Sequence, residues 1–427
     1  MKTKQINQWL RSELILLDGA TGTHLQAKGM PIGVAPEIWI LENPKILQDL
    51  QTAYYEAGSQ IVLTATFGAN RPQLTRHLGQ DIDVGEINRR LAEITISLRD
   101  GHRTAKPGQP FFVAGDIGPT GHFLYPVGDL SLDDMITIYR EQVRGLLDAG
   151  VDLFVIETMM DLAEARAAVL AVKAECDLPV LASLTFAENG HTLSGNPPAA
   201  CLLTLADAGV AAFGINCSFG PEELGQLVEP LRSITPIPLL LKPNAGLPVI
   251  VDGQTVFPMN PAAFAQKTWP LAGRGVQILG GCCGTGPEHI RQLSRQKAKT
   301  KDDAISTMPE RDMPDLICSA RQFAEIRHVK DWPVFEYRDP DSLSDDLLDA
   351  LDAEAAVLSI DANLPSKDRL DLIEAIIQLQ VMAPLPLVFK TDHPLMLENL
   401  LHVYCGRAGY ISDHPDPRTK GVRLTET

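Results

Sequence analysis

The sequence lacks any long apolar run. None of its hydrophobic stretches reaches the roughly 18 residues needed to cross a bilayer. The amino terminus, MKTKQINQWLRSELILLDGATG, is polar before one short apolar run and shows neither the hydrophobic region nor the cleavage site of a signal peptide. Positive charge is scarce as well: 37 Lys and Arg stand against 54 Asp and Glu, a net charge of −17, with no Lys/Arg-rich run. That overall balance does not favour phosphate backbones or an anionic lipid surface, which leaves only a local basic patch as a route to either. No segment is of low complexity. Cysteine is sparse and odd in number, with seven in 427 residues: Cys176, Cys201, Cys217, Cys282, Cys283, Cys318 and Cys405. An odd count in a long chain argues against a disulfide framework. Adjacent Cys282 and Cys283 could bridge only through a strained eight-membered ring. The expectation is a soluble cytoplasmic protein with no nucleic-acid and no membrane partner.

What is present is a core large enough for more than one domain, since 45% of the residues are hydrophobic. Over nearly 300 residues short Val/Ile/Leu-rich runs alternate with stretches of helical period. The runs are ELILLDGATG, QIVLTATFGAN, PFFVAGDIGPTG, VDLFVIETMM, PVLASLTFAENG, AAFGINCSFG, PLLLKPNAG and GVQILGGCCGTG. Each reads as a buried parallel strand running into a loop. Between them lie helices such as NPKILQDLQTAYYEAG and SLDDMITIYREQVRGLLDAG, whose final glycines are placed as C-caps. Eight strands with intervening helices predict an α/β fold, a (β/α)8 TIM barrel over residues 1–296. An open doubly wound sheet fits less well, because polar residues and glycines decorate every strand end and not a single switch point. Residues 297–315, polar and without apolar period, read as a linker. Residues 316–427 form a smaller α/β domain with too few strands to close a second barrel. No convincing repeat relates the two.

In such a barrel, function sits where the strands end. Those ends carry Asp18, Thr66 to Asn70, Asp116, Glu157, Ser183 to Thr185, Asn216–Cys217, Asn244 and Cys282–Cys283. Closure brings the sixth and eighth strand ends close in space, and with them three cysteines. Three thiolates at one point suit Zn2+, and three ligands from separate strands leave an open position of catalytic type. Buried inert thiols are the alternative reading. A tris-thiolate zinc is a poor activator of water. It can take a fourth thiol and hold it as a nucleophilic thiolate, which favours alkyl transfer to sulfur.

The motifs DGATGT, GDIGPTG, IETM, INCS, KPNAG and GGCCGT, in this order over roughly residues 10 to 295, resemble the homocysteine S-methyltransferase family. That family includes the homocysteine-binding module of cobalamin-dependent methionine synthase and the betaine- and S-methylmethionine-dependent enzymes. The resemblance implies zinc held by Cys217, Cys282 and Cys283, with Asn244 as a labile fourth ligand. It implies that Asp18 and Glu157 hold the homocysteine ammonium, and that the backbone amides of Gly19, Ala20 and Thr21 take its carboxylate. On the residues alone, Asp18 could cap its turn, Glu157 could pair with Arg166, and Asn244 could hold a turn. His24, His122 and His191 lack metal-ligand spacing and read as structural or substrate-lining. GDIGPTG reads as a tight strand-to-loop turn, because no lysine follows it.

The second segment resembles, more weakly, the opening strands of the pterin-binding barrel that follows such modules in methionine synthases. It keeps Asp361 and Asn363, but Lys390 stands where an aspartate is expected, and Ser412–Asp413 where Asn-Ser is expected. It stops about half a barrel short. The expectation is a degenerate remnant used for packing or docking. The methyl donor would then be methylcobalamin on a separate corrinoid protein acting in trans, because no Asp-x-His-x-x-Gly stretch is present. A free donor such as S-methylmethionine or a betaine is the second reading, and a non-catalytic zinc-binding docking subunit the third.

Overall fold

In the computed structural model the described residues are 3–251, 254–300, 308, 311–326, 332, 334–364, 369–413 and 420–424. Eight parallel strands form one sheet: β1 (Ile15–Leu16), β2 (Ile61–Leu63), β3 (Phe112–Ile117), β4 (Leu153–Met159), β5 (Val180–Leu184), β6 (Ala212–Asn216), β7 (Leu239–Lys242) and, after a hairpin of β8 (Val249–Val251) and β9 (Gln254–Val256), β10 (Val276–Leu279). Each of the eight pairs with its neighbour, and β1 pairs with β10. A parallel bridge from Leu17 to Ile61 and the bond from the Gln60 amide to the Leu16 carbonyl, 2.7 Å, complete the ring. This is the expected TIM barrel; the hairpin after the seventh strand was not foreseen.

Strand periodicity decides what fills it. Alternate residues of a strand face the same way. Ile15, Leu17, Ile61, Leu63, Phe112, Ala114, Leu153, Val155, Leu181, Leu240 and Ile278 accordingly form one buried interior cluster. Ile6, Trp9 and Leu10 of the N-terminal helix Thr3–Ser12 join that cluster and plug one end of the barrel. Further along the strands, the same inward phase falls on Asp116, Glu157, Ser183, Asn216 and Lys242. The interior is therefore apolar up to its last layer, which is polar. Around the ring, helices end as the sequence requires: Gly58 and Gly150 cap theirs with φ of +110° and +92°, a conformation costly for other residues.

The helix Pro287–Lys299 runs three residues into the expected linker. Most of the remaining linker lies outside the described residues, although Met308 is buried and its amide bonds to the Arg11 carbonyl at 2.9 Å. Beyond it, a small hairpin of β11 (Leu316–Cys318) and β12 (Phe323–Glu325) precedes five strands, β13 (Val334–Glu336), β14 (Leu358–Asp361), β15 (Leu387–Lys390), β16 (Gly409–Ile411) and β17 (Val422–Arg423). These five pair in sequence order, all parallel, with their own core around Phe389, Tyr404 and Ile376.

This unit packs against barrel helices through satisfied polar contacts. Arg166 donates to the carbonyls of Leu401 and His402 at 2.9 and 2.8 Å. Asn196 donates to the Ala320 carbonyl at 3.1 Å, and Asp207 accepts from the Gly421 amide at 3.1 Å. Between the loops after β3 and β5 and the helix Arg369–Met382 lies a cavity of about 720 Å3, with Tyr125, Leu193, Ile377 and Val381 in its walls.

Candidate active site

The three cysteines expected to converge do so: Sγ atoms of Cys217, Cys282 and Cys283 lie within 4.8 Å of one another, and Cys217 and Cys283 are 4.0 Å apart across 66 residues of chain. Among the described residues this is the one such cluster of metal-ligating type, and no histidine joins it. The backbone works to bring the sulfurs in. Cys217 and Ser218 both adopt positive φ, +63° and +58°, a strained arrangement of the kind that persists at functional sites. The Cys217 amide bonds to the Lys242 carbonyl at 3.1 Å, the Cys282 amide to the Pro243 carbonyl at 2.8 Å, and the Cys283 carbonyl accepts from Ala245 at 3.0 Å. The β7 loop is thus the template on which both cysteine loops are hung. Glycine is required beside them: a Cβ on Gly281 would meet Thr285 Oγ1 at 2.3 Å, and one on Gly284, at φ +78°, would meet Phe257 Cβ at 2.2 Å.

The three thiols cannot all ionise unaided. Hydrogen bonds from the other two hold Cys217 far below the usual thiol range, at about 3, against the opposing effect of burial. Contacts with Cys217 and Cys283, with burial, push Cys282 well up; the Cys217 contact and burial push Cys283 to about 12 against the opposing Cys282 contact. One thiolate is favoured and two are resisted, and a bound divalent cation would favour loss of the remaining protons. Asn244 adds a neutral donor set: it is buried, and its Oδ1 has no hydrogen-bond partner. Three sulfurs and an unpartnered amide oxygen fit a thiophilic divalent metal.

Beside the sulfurs lies an excess of carboxylate. Asp18 is buried; Oδ2 accepts from the Leu63 amide at 2.9 Å while Oδ1 is unpartnered. Burial raises its pKa from 3.8 to about 7, against the pull of Lys242 and the Leu63 amide. Asp116 also carries a buried, unpartnered Oδ1, and burial followed by the neighbouring Glu157 charge holds its carboxyl well above the ordinary range. Glu157 pairs across the barrel with Lys242. The pairing with Arg166 considered from sequence does not occur, because Arg166 points outward to the C-terminal unit. Burial works against the Lys242 charge, but Glu157, Asp18 and Cys282 together hold it firmly protonated. Three carboxylates and three thiols therefore share one lysine, and two carboxylate oxygens wait for a donor.

The loop Gly19–Thr21 packs on the β10 loop. The Ala20 amide donates to Thr285 Oγ1 at 3.2 Å, Thr285 Oγ1 donates to the Cys282 carbonyl at 2.7 Å, and Tyr54 donates to the Ala20 carbonyl at 2.8 Å. The Ala20 amide, expected to meet a substrate carboxylate, is thus engaged within the protein. His122 is exposed, while His191 bonds to the Asn189 carbonyl and His24 lies half-buried on its own helix. Sequence reasoning missed Lys242 and gave Asp116 no role. The signal was available, since Lys242 is two residues beyond inward-facing Leu240, and Asp116 two beyond Ala114.

The profile of the homocysteine S-methyltransferase family matches residues 15–296. Methionine synthase of Mycobacterium leprae is 31% identical over 310 residues, which cover 69% of this chain and 25% of that protein. The Mycobacterium tuberculosis methionine synthase is 32% identical over 306 residues, again 25% of its length. The chain thus spans about a quarter of the length of these relatives. The metallated form of the homocysteine methyltransferase MmuM from Escherichia coli superposes with a TM-score of 0.54 at 26% identity, covering 67% of this chain and 96% of that one. With the barrel, the cysteine cluster and the family match in agreement, the chain belongs to the homocysteine S-methyltransferase family.

Proposed function

We propose that this chain methylates homocysteine to methionine at a zinc centre held by Cys217, Cys282 and Cys283, with Asn244 Oδ1 as the ligand that yields to substrate. The observation that carries the reading is the three-sulfur cluster beside two unpartnered carboxylate oxygens at the open end of the barrel. When bound, the zinc supplies a charge that keeps the substrate sulfur deprotonated at neutral pH. Asp18 Oδ1 accepts from the homocysteine ammonium and Glu157 supplies the second carboxylate, while Gly19 and Thr21 amides face the carboxylate. These contacts fix the amino-acid end, so the sulfur meets the methyl group in line. A sulfur–carbon bond forms, and the electron pair of the broken bond stays with the donor.

The donor in this reading is methylcobalamin carried by a separate corrinoid protein. Large apolar side chains exposed on loops at this end of the barrel support a macromolecular donor: Ile32, Phe67, Val127, Leu193 and Ile250 are 96, 38, 65, 68 and 71% exposed. The C-terminal unit, in the same reading, is the remnant of half a pterin-binding barrel and serves packing or docking. Its strand ends are tied to one another, the Asp392 amide to Asn363 Oδ1 at 2.9 Å and the Asp413 amide to Asp392 Oδ1 at 3.1 Å.

The test is metal analysis joined to a donor screen. Purified chain should carry about one zinc per three-thiolate site and methylate homocysteine with methylcobalamin supplied on a carrier protein. Turnover with S-methylmethionine or betaine alone would replace the donor. Turnover with methyltetrahydrofolate and cobalamin alone would overturn the reading of the C-terminal unit. Absence of turnover with every donor, in zinc-loaded chain, would favour a docking subunit.

A further inference from the structure

The polar top layer of the barrel contains a cation that neither substrate nor metal requires as a direct ligand. Lys242 ends β7 with its side chain only 3% exposed, and it reaches across the interior to Glu157 near the end of β4, three strands away in the ring. Its carbonyl holds the Cys217 amide at 3.1 Å. Its charge is felt by Asp18 and Asp116 alike, and Cys282 is near enough to act on it in return. A buried lysine is costly to fold around, and one salt bridge could be replaced there by apolar packing. The location argues for more than packing: the backbone of this residue holds the Cys217 loop while its side chain reaches Glu157.

We propose that Lys242 is a positioning residue of the methyl-transfer site, whose fixed charge offsets the thiolates as they gather around the metal and whose contact with Glu157 aims that carboxylate at the substrate ammonium. Three thiolates leave a divalent metal with net negative charge, and a fourth from substrate increases it. A buried ammonium group beside the cluster reduces that repulsion without occupying a coordination position, as outer partners of metal ligands do. The same ammonium, bonded to one carboxylate oxygen of Glu157, leaves the other oxygen for a second cation. The inference rests on the zinc–homocysteine reading above.

The full chain with Lys242→Met, Lys242→Arg and Glu157→Gln separates the two duties. Zinc affinity is measured by competition with a chromophoric chelator, and homocysteine kcat and KM are measured apart. Lys242→Met is expected to weaken zinc binding about 10- to 100-fold, the range for second-sphere partners, and to raise KM. Lys242→Arg should restore zinc affinity to within a few-fold while KM stays raised, since the charge returns but the Glu157 contact is displaced. Glu157→Gln should raise KM with zinc affinity nearly unchanged. Should the methionine variant not fold, Lys242→Gln repeats the measurement with a hydrogen-bond donor retained and the charge removed. Zinc affinity unaltered in the uncharged variant, or lost as fully in Lys242→Arg, overturns the role of Lys242. Failure of the unsubstituted chain to bind zinc overturns instead the reading of the site itself.

Discussion

The barrel mouth and the seam with the C-terminal unit each hold three cysteines, in opposite circumstances. At the mouth the sulfurs of Cys217, Cys282 and Cys283 lie within 4.8 Å of one another, on backbone held at positive φ, next to carboxylate oxygens without partners. At the seam, Cys201, Cys318 and Cys405 form no such cluster. Burial pushes their thiols up, Cys318 to about 11 and Cys405 to about 12. Cys318 Sγ meets Thr204 Oγ1 at 3.5 Å and packs with Leu203 and Leu316. Charges differ in the same way: Arg166 spends its donors on two carbonyls of the seam, whereas Asp18 and Asp116 at the mouth keep an acceptor idle. The seam also leaves Arg407 Nε, 3.5 Å from Asp207, without a hydrogen bond, so what marks the mouth is idle carboxylate oxygens beside a sulfur cluster.

The sharpest way to break this contrast is Cys217→Ser. Serine cannot replace a thiolate toward a soft metal, so both bound zinc and turnover should fall below detection by metal analysis and methionine assay. Retained turnover would make the mouth no different from the seam. Next in size is Asp18→Asn, which removes the charge facing the substrate ammonium. A charge-assisted hydrogen bond contributes about 1.5–3 kcal/mol, so homocysteine KM should rise by about 10- to 100-fold with metal content unchanged. On the other side of the comparison, Arg166→Ala strips the partner from two part-buried carbonyls and removes a buried side chain from the seam. It should lower stability by about 2–3 kcal/mol, seen as a shifted denaturation midpoint and faster proteolysis at the seam, with KM unaffected.

Asp18 also gives the mouth a pH signature, beside that of Asp207 at the seam, whose carboxyl burial raises as well. Its folded pKa lies near 7 and its ordinary value is 3.8. Between these limits the folded state binds the proton and the unfolded state does not, so this group's contribution to stability falls as pH rises from about 4 to about 7. The ligand-free protein should show that decline in thermal scans, and Asp18→Asn should lessen it, the other buried carboxyls such as Asp116 and Asp207 keeping the remainder. Homocysteine, which needs the ionised carboxylate, should bind more tightly as pH rises through the same window.

Much of this was legible in the sequence because strand ends and barrel closure together fix geometry. Eight apolar runs, each ending in polar or small residues, were enough to place Cys217 beside Cys282 and Cys283 before any coordinates. Asp18 and Glu157 reached the same mouth as expected. What could not be read was partner choice among buried charges. Glu157 was near enough in sequence to Arg166 to suggest one partner, yet inward phase from Leu240 and Val155 gave it Lys242 across the barrel instead. Pairings across the interior depend on side-chain reach, which local pattern does not encode. The hairpin Val249–Val256 escaped notice because its two short strands bury little and carry no strong period.

The smallest expected effect is the one that tests whether seam and mouth are independent. Cys318 is fully buried, with its sulfur against Thr204 and the Ala200 carbonyl. Cys318→Ala removes one atom from a packed interface and leaves a small void, a loss of about 1 kcal/mol or slightly more. The cost should appear as a modest drop in melting temperature. Zinc stoichiometry and homocysteine KM should stay unchanged, because the cluster at the mouth is built from β6, β7 and β10 loops that the seam does not support. If removing this one sulfur instead lowered metal content, the two groups of cysteines would be coupled, and the C-terminal unit would have to be counted as part of the site.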